Sequence, residues 1–119
     1  MLFYFNIMNK ICTDINQSKK LIELGIDVQT ADMYWWTTSS RYYIEAMDDG
    51  DFNEAEGHIR AWSLTTLFNM LPKSARLERG SSTELCRVTL PVELKCSDWY
   101  LEPIDAVFEI VCLLKKKSC

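Results

Sequence analysis

MYWWTTSSRYYIEAM, residues Met33 to Met47, is the stretch that decides how this chain folds. Two aromatic doublets, Trp35-Trp36 and Tyr42-Tyr43, bracket a short polar run of Thr37, Thr38, Ser39, Ser40 and Arg41. β-branched and aromatic residues suit a pleated surface, and small polar residues suit a tight connection. The stretch therefore predicts a β-hairpin, with Met33 to Thr37 pairing against Arg41 to Met47. Neighbours along a strand point to opposite faces, so each doublet sends one ring to each side. Helices of the same chain can bury one face. The other needs a second cover, from within the domain or from a partner, and this makes the hairpin a clue to binding rather than to chemistry.

Upstream of the hairpin, Thr13 or Asp14 can cap a helix running about Asp14 to Leu24. Ile15, Leu21, Ile22 and Leu24 fall on one broad face, and Gly25 is placed to leave the helix through the left-handed region. Downstream, Ser63 caps a second helix, Leu64 to Leu71, with Pro72 beyond its end. Trp62 precedes that cap, where a hydrophobic staple would set it against Leu67. From Arg87 to Cys96, the residues Val88, Leu90, Val92, Leu94 and Cys96 alternate with Arg87, Thr89, Pro91, Glu93 and Lys95, the pattern of a half-buried strand. Pro91 cannot donate to a ladder and points to an edge strand or a bulge. Ala75 to Arg79, followed by the turn Gly80-Ser81-Ser82, is its expected hairpin partner. Pro103 suits the first position of a last helix, about Pro103 to Lys116. Ile104, Val107, Phe108, Ile110, Val111 and Leu114 make that helix the main cover of the sheet, and Trp99 and Tyr100 are expected to complete the core.

With 119 residues, 48% hydrophobic and 25% charged, the chain has the size and balance of one domain (1-119), burying roughly 65% of its unfolded surface. Nothing in that balance calls for a cofactor. Thirteen basic against seventeen acidic side chains leave a net charge of -4 and a pI near 5.0. That disfavours a general nucleic-acid or anionic-membrane surface. The single basic run, Lys115 to Lys117, complements a helix C-terminus. Met1 to Ile7 is apolar but lacks the basic region and cleavage site of a secretion signal. It reads as a short extension ahead of Met8, or as an extra edge strand. The longest mostly apolar run, Ala106 to Leu114, is about half the roughly 20 residues a membrane span needs. Five cysteines, Cys12, Cys86, Cys96, Cys112 and Cys119, include no close pair, and with one histidine they read as free thiols of a cytoplasmic protein rather than metal ligands.

Asp48, Asp49, Asp51, Glu54 and Glu56 crowd the segment after the hairpin. As a calcium loop begun at Asp49 it fails, because Glu54 stands where Gly is needed and Arg60 where Glu is needed. The segment is expected to be a solvated loop, with Asp48, Asp49 and Asp51 as the acidic candidates for contact. His58 reads as a loop-packing residue. The glycine-rich and nucleophile motifs of common enzymes, G-x-S-x-G, H-E-x-x-H, G-x-x-x-x-G-K-[ST] and G-x-G-x-x-G, do not occur.

Three blocks, CTDINQSKKLIELGIDVQTADMYW (Cys12 to Trp35), AWSLTTLFNMLP (Ala61 to Pro72) and WYLEPIDAVFEIVCLL (Trp99 to Leu114), together resemble a family of short, uncharacterised proteins from phages and mobile elements of Bacteroides-type gut bacteria. The resemblance covers roughly half of the chain and implies that genomic setting and a small α+β domain. It brings no catalytic residues. Where that family is expected to carry Asn before the proline of the last block, this chain has Glu102, which bears on how the last helix is capped.

These readings predict a small α+β domain, an antiparallel sheet of hairpins packed by about three helices. The expected role is a non-enzymatic protein-interaction module of a phage or mobile element. Trp35, Trp36, Tyr42 and Tyr43 would form either a homodimer seam or a site for a protein partner. One alternative is an acidic regulator that engages a nucleic-acid-binding protein through Asp48 to Glu56. The other is a small hydrolase using His58 with carboxylates.

Overall fold

A computed structural model describes residues 10–37, 41–47, 51–81 and 83–117. Helix α1 spans Ile15–Glu23, and Asp14 rather than Thr13 caps it: the Asp14 carboxylate accepts the Gln17 N–H while the Gln17 side chain accepts the Asp14 N–H. This reciprocal box satisfies two donors that a helix start otherwise leaves open. Gly25 leaves the helix at φ 89, as its position predicts. A 3-10 turn, Val28–Thr30, leads into β1 (Met33–Thr37), which pairs antiparallel with β2 (Tyr42–Ala46) in the expected hairpin, Trp36 opposite Tyr43 and Trp35 opposite Ile44.

The loop after the hairpin returns through a second 3-10 turn, Glu54–Glu56, to a strand the sequence did not announce, β3 (Ile59–Ala61). β3 pairs with the other edge of β1, so the first sheet has the order β2-β1-β3. Helix α2, Leu64–Phe68, is shorter than the predicted Leu64 to Leu71, although Ser63 caps it as expected and its side chain accepts the Thr66 N–H. β4 (Arg76–Arg79) and β5 (Cys86–Leu90) form the second predicted hairpin, with Arg76 opposite Thr89.

The predicted strand Arg87 to Cys96 is not continuous. Val88 and Leu90 are buried, but residues 91–94 turn, and the chain returns as β6 (Lys95–Cys96) alongside β5 in a second sheet of order β4-β5-β6. Pro91 is the physical reason: it fixes φ and offers no N–H to a ladder, so the alternation continues in sequence after the strand has ended. Val92 and Leu94, predicted to face inward, are exposed, and Leu94 takes the left-handed backbone at φ 59. The fold is α+β, as predicted, with two small antiparallel sheets in place of one.

Helix α3, Pro103–Lys117, lays Ile104, Val107, Ile110 and Val111 into a core shared with Leu21, Trp62, Leu67, Val88 and Leu90. Trp62 and Leu67, the predicted staple pair, are both fully buried in that core. Burying so large a ring contributes about 3 kcal/mol, and its polar atoms are satisfied. The indole N–H donates to Thr30 Oγ1 at 2.9 Å, and the backbone N–H donates to Thr13 Oγ1 at 3.1 Å. Glu102 is buried before α3 and accepts the backbone N–H of Lys10 at 2.9 Å, so its carboxylate ties the start of α3 to the chain ahead of α1. Lys10 then reaches Asp105 at 2.8 Å and Asp14 at 3.1 Å. Trp99 does not complete the core. It is 42% exposed and lies under the Arg87 guanidinium, 4.5 Å from the ring centre, while Tyr100 is partly buried.

Candidate functional site

Pairing in the hairpin sorts the two doublets by face. Trp36 lies opposite Tyr43 and Tyr34 opposite Glu45, so these four share one face, while Trp35, Tyr42 and Ile44 share the other. On the second face Trp35 is half-buried, and its indole N–H donates to the Thr13 carbonyl at 2.9 Å. That bond ties the face to the chain leading into α1. Lys10, Ile11, Cys12 and Asp14 line a gap of about 350 Å3 there with Trp35 and Ile44.

The first face is covered by the acidic loop. His58, just ahead of β3, stacks on Tyr34 with ring centres 5.1 Å apart and planes 20° apart. Phe52 meets the edge of Tyr34 at 5.5 Å, and the Arg60 guanidinium lies 4.5 Å over Phe52. These contacts hold residues 51–58 against β1, where Asn53 caps the 3-10 turn by accepting the Ala55 N–H and Gly57 closes it at φ 85. Trp36 and Tyr43 stack on each other at 4.6 Å. Between that stack and the loop opens a recess of about 380 Å3 lined by Tyr34, Trp36, Glu45, Asp51, Glu56 and His58. Three carboxylates and three rings therefore meet in one place, with no lysine or arginine in the lining among the described residues.

The histidine is committed to the loop. Its Nδ1 accepts the Asn53 N–H at 3.0 Å, so in the neutral ring the proton sits on Nε2, on the side of Glu56 at 3.8 Å. The nitrogen left for the recess is a donor. A general base needs an acceptor there, which leaves His58 as a brace for the loop, as its sequence context predicts.

Of the sequence-predicted residues, the structure brings Trp36, Tyr43 and Asp51 together. Trp35 and Tyr42 face away, and Asp48 and Asp49 lie outside the described residues. Sequence reasoning missed Glu45 and Tyr34. Glu45 interrupts the apolar strand between Ile44 and Ala46 and shares the parity of Tyr43. Once the hairpin register is known, that parity places it beside the Trp36 ring.

Three of the thiols, Cys12, Cys86 and Cys112, are held in their protonated form. Burial pushes Cys12 up to about 11, with nearby Asp32 adding to it, and burial also raises Cys86 and Cys112. Thiols held protonated in this way are poor nucleophiles. Among the described residues no group of three His, Cys, Asp or Glu side chains is placed to hold a metal ion, and no helix is long and apolar enough to cross a membrane.

Fold and site together define a small α+β domain that presents an acidic, aromatic recess on one face of a hairpin sheet. Comparisons with models of protein families, with curated proteins and with solved structures find no match.

Proposed function

We propose that this chain is a non-enzymatic protein-interaction module whose recess receives a cationic side chain, arginine above all, from a basic segment of a partner protein. One observation carries the reading: the stacked Trp36 and Tyr43 rings meet Glu45, Asp51 and Glu56 around a single open recess. A guanidinium stacks on an indole face and presents a planar fork to carboxylates, which a compact ammonium does less well. The stack of Phe52 and Arg60 beside it already uses the same attraction within the chain. Basic segments of this kind are what nucleic-acid-binding proteins present to phosphate, so an acidic regulator of such a protein is this same chemistry with the partner class specified. We place the module in a phage or mobile element only on the resemblance of the three sequence blocks Cys12 to Trp35, Ala61 to Pro72 and Trp99 to Leu114. A hydrolase based on His58 is disfavoured by the donor it turns toward the recess.

The test is calorimetric titration with a short arginine-rich peptide and with the same peptide carrying citrulline, which keeps the shape and removes the charge. Binding is expected to require arginine, to weaken steeply as salt rises, and to be lost in Trp36→Ala. Equal binding of the citrulline peptide, or an unaffected Trp36→Ala, refutes the proposal.

A further inference from the structure

The outer edge of β2 carries no partner strand among the described residues, since β2 ends its sheet. Its ladder groups follow from one hydrogen bond. Met47 N–H donates to the Asp32 carbonyl at 3.1 Å, which makes Asp32 and Met47 a hydrogen-bonded pair in the hairpin register. Such pairs alternate along an antiparallel ladder. Tyr43 and Glu45 therefore point their N–H and C=O groups inward to β1, and Tyr42, Ile44 and Ala46 point theirs outward from the edge. An open edge of this kind is a template for another strand.

The side chains say which strand fits. We propose that β2 pairs antiparallel with β2 of a second copy of this chain about a two-fold axis at Tyr43, joining two three-stranded sheets into one of six. In that register Tyr42 faces Ile44 of the second copy and Ile44 faces its Tyr42, each pair exchanging both backbone bonds, because all four residues present outward groups. Tyr43 meets its own copy at a non-hydrogen-bonded position, where side chains come closest. Arg41 falls opposite Glu45, and Glu45 opposite Arg41, so each end of the seam closes with an ion pair. Within one chain Arg41 precedes β2 and Glu45 lies four residues further along extended backbone, too far apart to pair. The sequence Arg-Tyr-Tyr-Ile-Glu is thus self-complementary when run against itself: cation to anion, ring to ring, ring to aliphatic. Moving the axis to Ile44 would put Tyr43 against Glu45 and lose both ion pairs. The exposures agree with this partner, with Tyr42 at 64% and Tyr43 at 37%.

The seam shares Tyr43 and Glu45 with the recess but also needs Arg41 and the open backbone edge of β2, which the recess does not use, and self-association measured without peptide reads it separately from peptide binding. The measurement is mass by light scattering over a concentration series up to roughly 1 mM, for the wild type, Arg41→Glu, Glu45→Arg, and the two variants mixed in equal amounts. The wild type is expected at twice 13.9 kDa. Each variant alone places like charges at both ends and is expected to weaken association by roughly tenfold or more. The mixture restores opposite charges at both ends and is expected to recover the dimer as a heterodimer. A wild type that stays monomeric, single variants that remain dimeric, or a mixture of monomeric variants that fails to associate each overturns the proposal. Should circular dichroism show either variant misfolded, Arg41→Gln and Glu45→Gln remove the attraction without adding repulsion. Unchanged association in both then overturns the seam.

Discussion

Replacing Asp32 tests whether the hairpin is anchored as its hydrogen bonds imply. The Asp32 carboxylate accepts the Ser63 N–H at 2.8 Å on one oxygen, and the Ser63 and Thr66 hydroxyls at 2.6 and 2.9 Å on the other. The same residue takes the Met47 N–H on its backbone carbonyl, so it joins both ends of the hairpin to the cap of α2. In Asp32→Ala three charge-assisted bonds disappear and the Ser63 N–H loses its acceptor. The two hydroxyls lie at partly buried residues and recover part of their loss by turning to water or to each other, at 3.2 Å. Counting about 1 kcal/mol net for each bond, the expected loss is about 3 kcal/mol. For a chain of this length that lowers Tm by about 12 °C. Asp32→Asn keeps one acceptor for the Ser63 N–H and offers donors that the hydroxyl oxygens can accept, so its loss should be about 1 kcal/mol. Thr66→Val removes a single bond and should cost about as much. Urea unfolding followed by tryptophan fluorescence and circular dichroism gives all three values. An Asp32→Ala loss under about 1 kcal/mol would show that water replaces the network at no cost. Equal losses in Asp32→Ala and Asp32→Asn would show that acceptance of the Ser63 N–H contributes nothing, and either result refutes the reasoning.

Two further outcomes follow from single residues. Leu94 holds a left-handed backbone while 89% exposed, so Leu94→Asn relieves strain without losing burial and is expected to stabilise by about 0.5–1 kcal/mol in the same unfolding measurement. Tyr100 donates its hydroxyl to Glu109 at 2.7 Å, and that bond, with burial adding to it, pushes its ionisation up to about 12 from 10.0. The protonated form is the one favoured in the fold, so its contribution to stability is complete below about pH 10 and is lost as pH rises toward 12. Tyr100→Phe should remove a step of tyrosinate absorbance near pH 12 and flatten the stability loss over that window.

The parts legible in the sequence were those set by near neighbours. The Ser63 cap, Gly25 as the exit from α1 and Pro103 as the start of α3 each depend on residues within one turn and stand where the sequence predicts, and Asp14 is one of the two caps the sequence offered for α1. The hairpin Met33 to Met47 was legible for the same reason, because strand composition and a polar connection lie side by side in the chain. The strand from Arg87 failed where two local signals conflicted: alternation argued for continuing, the missing N–H of Pro91 argued for stopping, and the backbone requirement prevailed. β3 escaped notice because three residues carry too little pattern to declare a strand without the edge they pair with.

By itself, then, the sequence determined the fold class, where the helices start and the fact that aromatic rings would stand on both sides of a hairpin, since period and capping are properties of adjacent residues. Only the tertiary structure decided which ring of each doublet faces which way, because that depends on register, and a shift of one residue would exchange the faces. It also decided that Glu45, Asp51, Glu56 and His58 meet Trp36 around one recess. Those side chains come from different parts of the chain, and it is the stacking of His58 and the edge-on contact of Phe52 with Tyr34 that bring the acidic segment across the sheet.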